Sequence, residues 1–135
     1  MTPRFADTYF FVALLADRDQ HHARVTEFAR QNPSHLTTTR WVLTELANAL
    51  AGSTARQSVA TFLLDIEDDP AVTIVGESDA LYHRGLLLYS ERPDKRWSLT
   101  DCISFLVMGD KALREALTED HHFAQAGFTP VFAQT

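Results

Sequence analysis

Cysteine is almost missing from this chain: Cys102 stands alone among 135 residues, which excludes an intrachain disulfide and fits a reducing, cytoplasmic compartment. Proline and glycine are scarce, five of each, and they fall singly between periodic segments, without a repeat, low-complexity tract or Ser/Gly-rich linker. Residues 1–135 therefore read as one domain. Long apolar runs are missing as well. The stretch Tyr9 to Ala16 is far short of the roughly 20 residues a membrane-spanning helix needs. Asp7 precedes it and no cleavage site follows, so it reads as core rather than as a secretory leader. An excess of positive charge is also lacking: 18 acidic residues outnumber 12 basic ones, for a net charge of −6. That excludes a nucleic-acid binder relying on positive charge alone. If four acids form a metal cluster, the remaining charges nearly balance and an RNA substrate stays compatible.

What the chain does contain is 45% hydrophobic residues in patterns that alternate between strand and helix. A short strand is predicted around Arg4 to Ala6, then a helix over Thr8–Leu15, a polar turn over Asp17–Gln20, and a second helix ending near Asn32 and Pro33. His35–Thr38 is β-compatible. From Arg40, Val42, Leu43, Leu46, Ala47 and Leu50 recur at helical spacing until Gly52 stops them. Val59, Phe62, Leu63 and Ile66 mark another helix, Val72–Val75 a β-branched strand and Ser78–Glu91 a helix. Ser98–Met108 is a helix capped by Ser98 and apolar on nearly every face, as in an element buried among others. Ala116–Thr118 and Thr129–Phe132 read as two last strands separated by a turn and Gly127. Alternation of strands with helices predicts an α/β fold, a three-layer α/β/α sandwich around a mainly parallel sheet of about five strands.

Four carboxylates fall where such a sheet builds its sites, outside the carboxyl ends of the strands. Asp7 follows the first strand, Glu45 lies in the helix after the second, Asp101 opens the apolar helix, and Asp120 sits just past the strand ending near Thr118. Each also has a simpler role: Asp7 suits a helix cap, Glu45 a solvated helix face, Asp120 a turn, and Ser98 with Asp101 a capping box. Brought together, such acids repel, since like charges about 4 Å apart at an effective dielectric near 20 cost about 4 kcal/mol per pair. A hard cation relieves this, and oxygen ligands with room for water suit Mg²⁺ or Mn²⁺. A metal held there activates water against a phosphodiester. Asp7 and Asp101 are the expected central ligands, Glu45 and Asp120 direct or water-bridged ones, and Thr8, Ser98, Thr100 and Thr118 the donors behind them.

Arg92, Lys95, Arg96 and Trp97 place three cations and an aromatic ahead of Asp101, suited to RNA phosphates and a stacked base, or to a solvated loop anchored by Trp97. His21-His22 and His121-His122 read as surface pairs, because adjacent side chains on a helix diverge. Cys102 reads as a buried small residue.

These residues resemble the PIN-domain family, particularly its VapC-like toxins. The resemblance rests on Phe5-Ala6-Asp7-Thr8, Thr44-Glu45-Leu46, Trp97-Ser98-Leu99-Thr100-Asp101-Cys102 and Leu117-Thr118-Glu119-Asp120-His121-His122-Phe123, and spans nearly the whole chain. It implies a metal-dependent ribonuclease selective for single strands, a homodimer, and a small antitoxin that blocks the site. At the fourth acidic position Glu119 competes with Asp120; the spacing to Thr118 and Phe123 favours Asp120. Two rival readings remain. A noncatalytic PIN-like module would bind RNA or protein without cutting. An aspartate-based phosphatase of the haloacid-dehalogenase type wants a second aspartate two residues after Asp7, where Tyr9 stands.

Overall fold

A computed structural model describes residues 1–133. In chain order the elements are β1 (Thr2–Ala6), α1 (Thr8–Leu15), α2 (His22–Gln31), β2 (Ser34–Thr39), α3 (Arg40–Ala49), α4 (Arg56–Asp65) with a single 3₁₀ turn (Ile66–Asp68), β3 (Val72–Val75), α5 (Asp79–Glu91), α6 (Leu99–Asp110), β4 (Glu115–Leu117), α7 (His121–Gln125) and β5 (Thr129–Pro130). The five strands form one sheet in the order β3-β2-β1-β4-β5, and every pairing is parallel. The predicted fold class is the one observed.

Local chemistry explains why the strands stop where they do. β2 is rich in threonine, which is unusual for an inner strand of a parallel sheet, yet Thr37, Thr38 and Thr39 are buried. Two of these hydroxyls find partners: Thr38 Oγ1 donates to the Ala6 carbonyl at 2.9 Å, and Thr39 Oγ1 accepts the Val42 N–H at 3.1 Å and so caps α3. A β-branched residue with a satisfied hydroxyl serves both as strand former and as helix cap. At the amino end of the sheet, the buried Arg4 on β1 donates to Glu115 on β4 at 3.0 Å and to Ser34 on β2 at 2.6 Å, tying three adjacent strands together.

α1 packs against α2 and α3, and α3 against α4, while α5 packs against α6 and α6 against α7. The apolar α6 is buried through Cys102, Ile103, Ser104, Phe105, Val107 and Met108, as its composition predicts. One difference from expectation lies near the end. The turn expected before Gly127 contains the helix α7, whose five residues are too few to show a 3.6-residue period. Asp120 caps its start through the His122 N–H, and Gly127 at φ +96° ends it, a backbone that glycine adopts without strain. The last strand is also shorter than expected, ending at Pro130 on the sheet edge, where a missing N–H is tolerated.

The α5–α6 contact is close enough to be tested. A Cβ added to the buried Gly85 would come within 2.5 Å of Ile103 Cγ1. Gly85→Ala is therefore expected to lower stability by about 1–3 kcal/mol, despite alanine's better helix propensity, as measured by urea denaturation. Adding Ile103→Ala relieves the clash, so the double variant should lose less than the sum of the two single losses.

Candidate metal centre

The strand order reverses direction between β1 and β4, leaving a crevice at their carboxyl ends. Asp7 is the first residue past β1. It takes the N-cap position of α1 with an extended backbone, but its carboxylate makes no capping bond, so the simple capping role does not hold. Instead Asp7 Oδ2 accepts the hydroxyl of Thr118, fully buried at the end of β4, at 2.9 Å. The same Thr118 Oγ1 accepts the Asp120 N–H at 3.1 Å. One threonine thus ties the first acid to the backbone of the fourth.

Glu45 reaches the crevice from α3. It is exposed, and its Oε1 accepts the Thr8 hydroxyl at 3.1 Å. Asp101 arrives from the first turn of α6, where the anticipated capping box is complete: Ser98 Oγ accepts the Asp101 N–H at 2.9 Å, and Asp101 Oδ2 accepts the Ser98 N–H at 3.1 Å. His122 joins the last two acids. Its Nδ1 lies 3.2 Å from Asp101 Oδ2 and 3.3 Å from Asp120 Oδ1. Thr8, Ser98 and Thr118 thus each hold an acid. Thr100 lines a groove beside Glu45, and among the described residues its hydroxyl bonds none of the four carboxylates. Glu119 turns away, its Oε2 lying 3.7 Å from His21 Nε2.

The internal bonds leave a common pattern. Oε2 of Glu45, Oδ1 of Asp101 and Oδ2 of Asp120 accept no hydrogen bond from the described residues, while the other oxygen of each is fastened. Desolvation pushes the Asp7 carboxyl up to about 7, with the charges of Asp101 and Glu45 adding to it; the Thr8 N–H and the Thr118 hydroxyl offset part of the rise. Burial, then the Asp120 charge, also raises Asp101. Unoccupied lone pairs on crowded acids whose ionisation is unfavourable form a donor set that a hard divalent cation fits.

His122 is the contributor that sequence reading missed. Of the His121-His122 pair only His121 is a surface histidine, with its side chain 75% exposed, whereas that of His122 is 19% exposed. His22 is also engaged, its Nδ1 2.6 Å from the Ala13 carbonyl. The divergence of neighbouring side chains holds inside a helix, but Asp120 is the cap and His121 the first helical residue. There the chain turns, and one ligand atom from each of Asp120, His121 and His122 falls within 4.8 Å of the others. A histidine two residues past a capping acid was the available signal.

The loop ahead of α6 differs from one of its expected uses. Trp97 does not present a face to a base: it is 6% exposed, its Nε1 donates to Gln125 at 2.9 Å, and its ring meets Phe105 edge-on. The Arg92 guanidinium lies over the ring at 5.1 Å and also forms a bidentate pair with Asp94. Lys95 Nζ stands 3.9 Å from Asp94, and Arg96 forms no ion pair among the described residues. An indole has one N–H and two faces, and here packing has used them. Cys102 is fully buried, and burial with the neighbouring Asp101 charge pushes its thiol up.

A pH dependence follows from Asp7. Its folded pKa lies above the ordinary carboxyl value, so its contribution to stability is complete at low pH and is lost as pH rises from about 4 through about 7. Asp7→Asn keeps an acceptor for Thr118 and removes the charge. In EDTA the variant should melt about 5 °C above the parent at pH 8, with the gap closing towards pH 4. Parallel melting curves at every pH would contradict the burial of this charge.

Among the described residues no helix is long and apolar enough to cross a membrane. No curated protein matches the sequence significantly. Solved structures that share the fold include these two. Mycobacterium tuberculosis VapC20, described as a sarcin-ricin loop cleaving toxin, is 24% identical, with 94% of this chain and 97% of that one covered, at a TM-score of 0.84. FitAcB from Neisseria gonorrhoeae is 17% identical, with 93% and 94% covered, at a TM-score of 0.62. The sequence matches the PIN domain over residues 4–129, which takes in the last three residues of β1 and the crevice acids Asp7, Glu45, Asp101 and Asp120, and on that match the chain belongs to the PIN domain family.

Proposed function

We propose that the protein is a divalent-metal-dependent ribonuclease, the toxin of a type II toxin–antitoxin pair, with Asp7, Glu45, Asp101 and Asp120 holding Mg²⁺ or Mn²⁺. The observation that carries this reading is the convergence of four acids from separate elements, three with an oxygen no internal donor uses. A bound divalent ion supplies Lewis acidity, lowering the pKa of an attacking water and neutralising charge on the scissile phosphate. The chain's own part is positional. Thr118 orients Asp7, Thr8 orients Glu45, and the Ser98 backbone and His122 orient Asp101. His122 touches the fastened oxygens of Asp101 and Asp120, so we assign it as a positioning residue rather than a ligand.

Likeness in fold to VapC20, described as cleaving the sarcin-ricin loop, supports RNA as the substrate and a toxin as the role. An antitoxin or a second copy of the chain has a surface to cover, since Tyr82, Leu86, Leu87 and Tyr89 on α5 are 40% to 60% exposed, and clustered apolar surface marks contact sites. Of the loop cations, Arg96 is the one left to an RNA phosphate. The aspartyl-phosphatase reading lacks its second acid: Tyr9 packs its ring on His21 and Phe132. A noncatalytic module has no use for four intact acids around a costly buried charge.

Purified protein is expected to cut unstructured RNA with Mn²⁺ or Mg²⁺ and to stop in EDTA. Asp7→Asn and Asp101→Asn should each lower kcat at least a hundredfold while the far-ultraviolet circular dichroism is unchanged; two variants as active as the parent would sink the assignment. At His122, asparagine places an amide N–H near the Nδ1 position. His122→Asn should therefore keep Mn²⁺ affinity within about threefold by calorimetry, where His122→Ala loses about tenfold, the lower end of what a group orienting ligands contributes.

A further inference from the structure

Beside Glu45 lies a solvent-open groove of about 540 Å³. Trp41, Thr44, Glu45 and Asn48 recur along one face of α3 and form one wall, and Thr100, next to Asp101, faces them. The groove is therefore continuous with the acid crevice, and Trp41 precedes Glu45 by one helical turn, roughly 5–6 Å between their Cβ atoms. Unlike Trp97, Trp41 is partly exposed, and its indole N–H makes no hydrogen bond among the described residues. The Asn48 side chain is likewise exposed and uncommitted, whereas the Thr44 hydroxyl donates to the Arg40 carbonyl.

The charges of the groove select the part of a nucleotide that fits. Its one cation, Arg40, pairs with Glu67 and stands 3.7 Å from Glu77, and Glu45 and Glu77 both line the cavity. A phosphate meets net negative charge there. An uncharged aromatic ring meets the partly exposed indole of Trp41 and a free amide. Every base has a π-face that stacks on tryptophan, and in single-stranded RNA its hydrogen-bonding edges are open to an asparagine amide.

We infer that this groove is a nucleobase subsite, in which Trp41 stacks on an unpaired base next to the phosphate held at the acid crevice and Asn48 bonds its edge. The inference rests on the ribonuclease reading above and deepens it by placing the substrate's base on α3 rather than on the loop of Trp97. Trp41 and Asn48 are positioning residues for the substrate and hold no metal.

The test is steady-state cleavage of an unstructured RNA oligonucleotide in Mn²⁺ by the full chain. Trp41→Ala is expected to raise KM about tenfold while kcat stays within threefold and calorimetric Mn²⁺ affinity is unchanged. Trp41→Phe, which keeps a stacking ring, should restore KM to within threefold of the parent. In the cleavage-deficient Asp101→Asn background, RNA should quench the intrinsic fluorescence, and Trp41→Phe should abolish the quench, because Trp97 is buried. A Trp41→Ala enzyme with parental KM, a Trp41→Phe enzyme as impaired as Trp41→Ala, or a quench that survives loss of Trp41 would each overturn the subsite while leaving the nuclease reading intact. Loss of a dimer on Trp41→Ala with KM unchanged would give the groove to a second copy of the chain instead. If the parent neither binds nor cuts RNA, the nuclease reading falls and the subsite falls with it.

Discussion

The bond between Thr118 and Asp7 is the contact on which the crevice depends. A carboxylate at the end of the central strand has lost most of its water, and its charge is unfavourable by itself. The hydroxyl that holds it belongs to Thr118, just past the neighbouring strand β4, and also receives the N–H of Asp120. The distance between the first and last acids of the chain is thereby set by one fully buried side chain just past the end of β4. Helices α3 and α6 bring the other two acids against this fixed pair, each tethered at one oxygen. Preorganisation of this kind leaves like charges close together before any cation arrives, and the rest of the protein offsets the cost through its core.

The two ends of the sheet divide the labour. At the amino ends Arg4 joins β1 to β2 and β4 with a charged fork, where the charges are opposite and the bonds satisfied. At the carboxyl ends like charges gather. The fold is held together at one edge and kept under electrostatic tension at the other, as expected where a site trades stability for chemistry.

Much of this was legible in the residues because it is written in local spacing. The α1 boundaries, Val72–Val75, the Ser98 box and the burial of α6 all follow from periodicity and capping chemistry, which act within a few positions. The places of Asp7, Asp101 and Asp120 were legible because each stands just after a strand or at a helix start, and that of Glu45 because it lies on the helix that follows β2. What escaped were features created by packing. α7 is too short to have a period, so the place of His122 beside Asp101 could not be seen. Trp97 suited either a stacked base or an anchor for its loop, and only its tertiary partners, Gln125 and Phe105, decide for the anchor. Trp41 stands outside the apolar set of α3 and drew no role from the sequence, since nothing in its spacing marks a groove wall.

The solitary thiol has a practical side. Cys102 sits at zero exposure one residue from Asp101, with its ionisation suppressed, and thiolates rather than thiols react with alkylating dyes. A buried, protonated thiol resists such a reagent, so alkylation of the native chain would report exposure of the start of α6. The thiol is thus a natural probe of local opening beside Asp101, one of the four acids.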